Sequence, residues 1–200
     1  MRIFFSIVFI FFVVEVWSQK FSSRSYYEKC WAFFHPCAAF KVKKIYKQCM
    51  PLYEEVKKNN LLDTYENGGK LDAFRHTFFM AAFTQKIKTK KIRKLGIAHE
   101  KGNYAHFLKN IKEDGELADS LSSVMDLQNN ELGFKIGSAN KRKDLRDLKD
   151  LMIEEIKKGE AVYFKRNSSG QNLNCNGELI LMENYKNKWF IPKCLMPTNL

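Results

Sequence analysis

The pattern of apolar and polar residues along the chain predicts a mainly helical protein with strands only at its C-terminal end. Residues 20–66 are dense in apolar positions and are interrupted by Pro36 and Pro51, which is typical of helices that kink or restart. Apolar residues at helical spacing predict four further helices, over residues 71–88, 90–102, 116–137 and 143–159. Residues 103–115 are predicted to be a loop.

After residue 160 the apolar period becomes that of strands. Residues 161–166 are predicted to form a strand, and residues 175–194 a hairpin that turns at "YKNK" (185–188). Pairing around that turn would place Cys175 opposite Cys194, so a disulfide is predicted between them. The expected fold class is α+β, a mainly helical bundle with a small C-terminal antiparallel sheet.

The N-terminus has the pattern of a secretory signal peptide. Arg2 precedes an apolar run at residues 3–14, and Val16 and Ser18 occupy the small-residue positions of a cleavage site after Ser18. An uncleaved anchor is the alternative, although the run is shorter than the roughly 20 residues that span a bilayer. We therefore expect a secreted or periplasmic protein with no transmembrane segment after leader cleavage. The expected organisation is a signal peptide (1–18), a helical N-terminal segment (19–66), a helical core (67–160) and a β-hairpin region (161–200).

The five cysteines favour disulfides over a structural zinc site, because no C-x-x-C spacing occurs and an exported chain is oxidised. Besides the predicted bridge there are Cys30, Cys37 and Cys49. Two of these three can pair and one is left over, and the sequence does not say which.

The formal net charge of +12 favours anionic partners, such as an anionic polymer or a lipid surface. The densest basic stretch, residues 86–94, is interpreted as a solvated helix face. No specific nucleic-acid motif occurs.

Polar residues interrupt the apolar surface of three predicted helices. Asp72 and His76 lie one turn apart in an apolar stretch, and burying such groups is costly unless they are paired or bind something. If the three helices converge, their polar residues form one site, and Gly133 and Gly137 would let another backbone approach closely. The polar set comprises Asp72, Arg75, His76, His99, Glu100, Asp126, Asn129 and Asn130.

This set is compatible with three roles. In a metal site, His76, His99 and Asp126 would bind a divalent cation such as zinc or manganese. In a metal-free catalytic site, the histidines would act as acid/base groups, with oriented carboxylates and Arg75 stabilising an oxyanion. The catalytic candidates are His76, His99, Asp72, Asp126, Arg75 and Glu100, and the substrate-binding candidates are Asn129 and Asn130. In a purely structural network, Asp72 would cap its helix and pair with Arg75.

The segments "LDAFRH" (71–76), "IAHEKG" (97–102) and "MDLQNNELG" (125–133), in this order, resemble a bacterial domain family of unknown function. That family occurs in secreted proteins and at the ends of long toxin-like chains. The resemblance covers residues 67–166 and implies that the polar set, with Gly133, belongs to one unit, but it implies no reaction. Gln128 and Phe134 stand where the family often has histidine and arginine, so neither is assigned to the site.

Three functions follow as hypotheses. The first is an exported hydrolase with a His/Asp site, with or without a metal, acting on an anionic substrate. The second is a non-catalytic secreted binding or accessory domain whose polar network is structural. The third is a toxin-like effector.

Overall fold

The computed structural model describes residues 24–112 and 117–200, so the expected signal peptide lies outside the described residues. The described chain is an α+β fold, as predicted, in which helices are followed by a small antiparallel sheet. Tyr163 pairs with Met196 at the centre of that sheet. The elements are α1 (Tyr26–Phe34), α2 (Pro36–Lys58), α3 (Lys70–Lys86), α4 (Thr89–Leu108), α5 (Ser120–Ala139), α6 (Leu145–Lys158), β1 (Val162–Phe164), a 3₁₀ helix (Met182–Tyr185) and β2 (Leu195–Pro197).

The buried centre of the fold is α3, which α2, α5 and α6 surround. Phe74 and Phe78 are fully buried and stack with ring centroids 5.1 Å apart. The ring of Tyr53 in α2 also stacks with Phe74, with the two centroids 6.5 Å apart. Such aromatic side chains each bury a large apolar area, so this stack fixes how α2 crosses α3.

The crossing of α3 and α5 depends on two glycines, as the sequence predicted. A methyl group at Gly133 would lie 3.0 Å from Cβ of Met80, and one at Gly137 would lie 2.6 Å from Cα of Ala81. Both distances are shorter than ordinary van der Waals contact, so the two backbones meet more closely than any other residue type would allow. Because Gly133 lies two turns after Asp126, this contact also brings the polar residues of α5 towards α3.

Some predicted helix boundaries are wrong. Helix α4 does not end at Gly102 but continues to Leu108, because Gly102 serves close packing and not termination. A methyl group there would lie 2.6 Å from the side chain of Ser25, the N-cap of α1. Helix α2 continues through Pro51, whereas Pro36 does begin a helix.

The predicted disulfide is confirmed, but the hairpin around it is wrong. Cys175 and Cys194 are bridged, with their Cα atoms 4.7 Å apart. Residues 182–185 form the 3₁₀ helix, and strand β2 begins only after Cys194 and pairs with β1. The reason is that the segment following β1 already forms tight turns of its own, with isolated bridges from Arg166 to Asn172 and from Leu173 to Leu179.

Within residues 24–112 and 117–200, the helices are too short or too polar to cross a lipid bilayer.

Candidate metal and catalytic site

Three buried side chains of the predicted set converge between α3 and α5. Asp72, His76 and Asp126 each place one ligand atom within 4.8 Å of the others. Nε2 of His76 lies 3.2 Å from Oδ1 of Asp126 and 3.5 Å from Oδ1 of Asp72. All three residues are less than a tenth exposed. We call Asp72, His76 and Asp126 the carboxylate–histidine cluster.

The tautomer of His76 follows from its second ring nitrogen. Nδ1 lies 3.3 Å from Oδ1 of Asn130, an amide oxygen that can only accept a hydrogen bond, so Nδ1 carries the proton. The lone pair of Nε2 therefore faces the two carboxylates. Nε2 is buried and has no hydrogen bond of acceptable geometry. A carbonyl group that orients a ring in this way is the usual outer support of a metal-bound histidine.

Burial makes the neutral form of this imidazole the stable one. It lowers the pKa of His76 to about 4; the charge of Asp72 opposes this effect, and the charges of Arg75 and His99 reinforce it. At pH 7 the ring is therefore neutral and offers a lone pair to a ligand.

The two carboxylates have different surroundings. Asp72 accepts the N–H of Gly68 at 2.7 Å and a guanidinium N–H of Arg75 at 2.7 Å. Gly68 has φ of 70°, a left-handed conformation that lets the loop present its N–H to Asp72. Burial, followed by the charges of Asp72 and Glu100, raises the pKa of Asp126 well above its usual range, against an opposing effect of Arg75.

The separations within the cluster match those of metal ligands. Zinc bonds of about 2.1 Å at tetrahedral angles place two ligand atoms about 3.4 Å apart. The distances from Nε2 of His76 to Asp126 and Asp72 are 3.2 and 3.5 Å. Two carboxylates and one imidazole are a donor set that suits zinc or manganese.

His99 does not belong to this cluster, although the sequence predicted it as a ligand. Its Nδ1 lies 3.6 Å from Oε1 of Glu28 in α1. Burial would raise the pKa of Glu28, but the hydrogen bond and charge of His99, together with hydrogen bonds from Ser25, outweigh burial and lower it to about 2. The His99–Glu28 pair therefore joins α4 to α1 beside the cluster.

Two further predicted residues make contacts within the fold. The side chain of Asn129 donates to the carbonyl of Val162 and accepts its N–H, both at 2.9 Å, which joins α5 to β1. This contact is structural, and it occupies the amide that was predicted to bind substrate. Glu100 is buried and accepts a hydrogen bond from Asn103 at 3.2 Å.

Two serines near the start of α5 carry buried hydroxyl groups without a hydrogen-bond partner. They are Ser120 and Ser123, and Ser123 lies one turn before Asp126. Buried polar atoms without partners are uncommon in proteins and mark places where water or a ligand is expected.

The residues that sequence reasoning missed include Glu28, Asp63 and Lys193. Glu28 forms a capping box with Ser25, and the pattern S-x-x-E could have revealed it. Asp63 accepts the N–H groups of Lys70 and Leu71 and so caps α3 from the preceding loop. Lys193 carried no local signal.

Lys193 forms a buried ion pair with Asp119, with Nζ and Oδ2 2.7 Å apart. Asp119 is also the N-cap of α5, where it accepts the N–H groups of Leu121 and Ser122. The C-terminal segment thus holds the start of the helix that carries Asp126.

A family model described as a domain of unknown function (DUF6973) matches residues 29–160. The match begins within α1 and ends before β1, so it includes part of α1 and all of α2 and excludes the disulfide-bonded C-terminal segment. No curated protein and no solved structure matches the chain.

Proposed function

The chain belongs to this family of unknown function, and we propose that it binds a divalent cation through Asp72, His76 and Asp126 and hydrolyses an anionic substrate there. One observation carries the proposal: the deprotonated Nε2 of a neutral, buried imidazole faces two carboxylate oxygens without a hydrogen bond.

The three groups repel one another unless a positive charge lies between them. Asp72 already accepts hydrogen bonds from Gly68 and Arg75, whereas the lone pair of Nε2 is buried beside the two carboxylates without a donor, and leaving such a group unpaired is costly. Either a proton on Asp126 or a cation satisfies this lone pair. The cation accounts for more of the geometry, because Asn130 fixes the tautomer that a metal requires and the separations suit zinc or manganese.

The neighbouring residues support hydrolysis of an anion. A bound divalent cation supplies a water of lowered pKa and polarises a carbonyl or phosphoryl oxygen. Arg75 is held against Asp72 with its side chain about one-third exposed, so its guanidinium lies at the edge of the site, where a substrate anion could pair with it. The net charge of +12 favours approach of the same class of substrate.

Export is part of the proposal. The N-terminal sequence has the signal-peptide pattern, and the Cys175–Cys194 disulfide suits an oxidising compartment.

A second candidate is a non-catalytic binding or accessory domain in which the polar groups only fix helix packing. The two hydrogen bonds of Asn129 to Val162 and the Asp72–Gly68 contact favour it, because both are structural. The two candidate functions differ in whether Nε2 of His76 binds a cation.

Cation binding is tested by titrating the full chain with ZnCl2 and with MnCl2 in a calorimeter. We expect one site per chain, and His76→Ala or Asp126→Asn should weaken it at least 100-fold. Asn130→Ala should weaken it by about 10- to 100-fold, as expected for an outer support, and Asn130→Asp, which keeps an acceptor, should restore most of the loss. The matched control is His106→Ala, a partly exposed histidine of α4.

Each outcome decides between the candidates. If the titration of the folded chain shows no binding site, the metal proposal is rejected and the structural network remains. The same conclusion holds if His106→Ala weakens cation binding as much as His76→Ala does. Hydrolysis is then measured on a chromogenic phosphodiester and a chromogenic ester, with the cation and with EDTA. A bound cation without any hydrolysis would support the binding or accessory domain.

A further inference from the structure

An exposed aromatic surface lies where α1 meets α2. Phe33, Phe34 and Phe40 are 79%, 73% and 65% exposed. We call residues 33–40 the elbow. Three aromatic side chains of this exposure present on the order of 400 Å² of apolar surface, which is in the range that marks an interaction site on a soluble protein.

The elbow is held rigidly. Nε1 of Trp31 donates to the carbonyl of Lys91 at 2.9 Å, which fastens the end of α1 to α4. The ring of His35 packs against Trp31 at 5.5 Å between centroids. The phenylalanines are therefore presented to solvent from a fixed backbone.

The adjoining face of α2 is basic. Phe40, Lys44 and Lys47 are exposed and lie on one side of the helix, opposite the buried Cys49, and the exposed Lys41 lies at the edge of that side. No acidic residue occurs between Glu28 and Glu54. A partner of this surface must therefore accept aromatic side chains next to a row of lysines whose own segment, residues 29–53, carries no carboxylate.

We infer that the elbow and the lysine row of α2 form a docking surface for an anionic lipid bilayer. Phenylalanine side chains enter the boundary between headgroups and acyl chains, and lysines beside them pair with anionic headgroups. A folded protein partner would present polar groups and both signs of charge at its rim, for which this surface offers no complementary acids. The proposed metal site is not needed for this inference, because the two surfaces share no residue.

The test places a reporter inside the surface. Cys37 is exposed between Phe34 and Phe40, whereas Cys49 is fully buried, so in a Cys30→Ser background a polarity-sensitive fluorophore labels Cys37 of the folded full chain. Labelled protein is mixed with phosphatidylcholine vesicles that contain or lack phosphatidylglycerol. We expect a blue shift with the anionic vesicles, and quenching by lipids brominated in their acyl chains.

Matched variants assign the effect to the surface. Phe33→Ser combined with Phe40→Ser should raise the lipid concentration at half-maximal shift at least tenfold, whereas Phe190→Ser, another exposed phenylalanine, should not change it. Lys44→Gln with Lys47→Gln should raise it about 25-fold, about fivefold for each lysine. Lys141→Gln with Lys157→Gln is the control pair on another face.

Several results would overturn the inference. One is a fluorophore whose emission does not shift with either kind of vesicle, and another is a shift of the same size with neutral and anionic vesicles. A third is a control variant that raises the half-maximal lipid concentration as much as the variant it is matched with. A shift that appears without lipid and grows with protein concentration would show that a second copy of the chain covers the elbow.

Discussion

Replacing Gly137 by alanine tests the close crossing of α3 and α5 on which the geometry of the cluster depends. In an isolated helix this change would stabilise the chain by about 1 kcal/mol, because glycine is the weaker helix former. Here the new methyl group would meet Cα of Ala81 at 2.6 Å, together with the carbonyl oxygen of Ala81 and the hydroxyl of Thr84. Two of these three neighbours are backbone atoms of a buried helix, so they can move only if the helices separate.

The size of the effect follows from that separation. Ordinary contact lies at 3.4 to 4 Å, so α5 must retreat by about 1 Å along its central contact with α3. Overpacking of this kind costs about 1 to 3 kcal/mol and, when only backbone can give way, tends to the upper end. After the gain in helix propensity is subtracted, Gly137→Ala should lower the free energy of unfolding by about 2 kcal/mol. That corresponds to a fall in melting temperature of about 4 to 8 °C for a domain of this size.

The assay is urea unfolding followed by circular dichroism, with Gly96→Ala as the matched control. Gly96 is also a buried helical glycine, but its nearest neighbour is the side-chain amide of Asn130 at 3.1 Å. A side chain can shift by a few tenths of an ångström, so Gly96→Ala should be close to neutral. If Gly137→Ala proves as stable as Gly96→Ala, the proposed contact between the two backbones is wrong.

Three further predictions concern stability. At pH 7, Glu28→Gln should lower the free energy of unfolding by about 2 kcal/mol. The pKa of Glu28 is about 2 in the folded chain, against an ordinary value of 4.5. Its contribution to stability is therefore full above pH 4.5 and is lost as the pH falls towards 2. A difference in unfolding free energy between Glu28→Gln and the unchanged chain that stays constant from about pH 7 to about pH 3 would contradict this prediction. Lys193→Met should lower the free energy of unfolding in urea by about 3 kcal/mol, because it leaves Asp119 charged and buried. Adding Asp119→Asn should recover part of this loss, whereas strictly additive losses of the two substitutions would argue against the ion pair. Replacing Cys175 and Cys194 by serine should cost about 3 kcal/mol, as expected for a bridge across a sequence separation of 19, and thiol reductant should then have no further effect on the melting temperature.

Local patterns in the sequence were sufficient where the determining interactions are themselves local. Helix α6 ends at Gly159, which has φ of 91°, because a left-handed residue after the last turn is a local requirement. Gly133 and Gly137 were recognised as a close-packing surface because glycines spaced at one helical turn leave a groove whatever lies opposite. The Cys175–Cys194 bridge was also found, although through a hairpin that does not exist.

The pairing of the strands could not be predicted from local sequence patterns. Strand β2 pairs with β1, more than 30 residues earlier in the chain, and not with the residues that precede it. Three-residue strands carry little preference of their own, so their pairing depends on the helices that contact them, which are α3 and α5 at β1. The contact of Asn129 with Val162 is one of those constraints.

For the candidate site, the sequence by itself determined which polar residues lie on apolar helix faces and must therefore be paired or bind something. It established Asp72 and His76 as neighbours, because residues one turn apart on a helix share a face. Only the tertiary structure decided that Asp126 joins them and that His99 instead pairs with Glu28. The physical reason is that convergence depends on where two helices cross and how closely they approach, and a side chain reaches only a few ångströms from its own backbone.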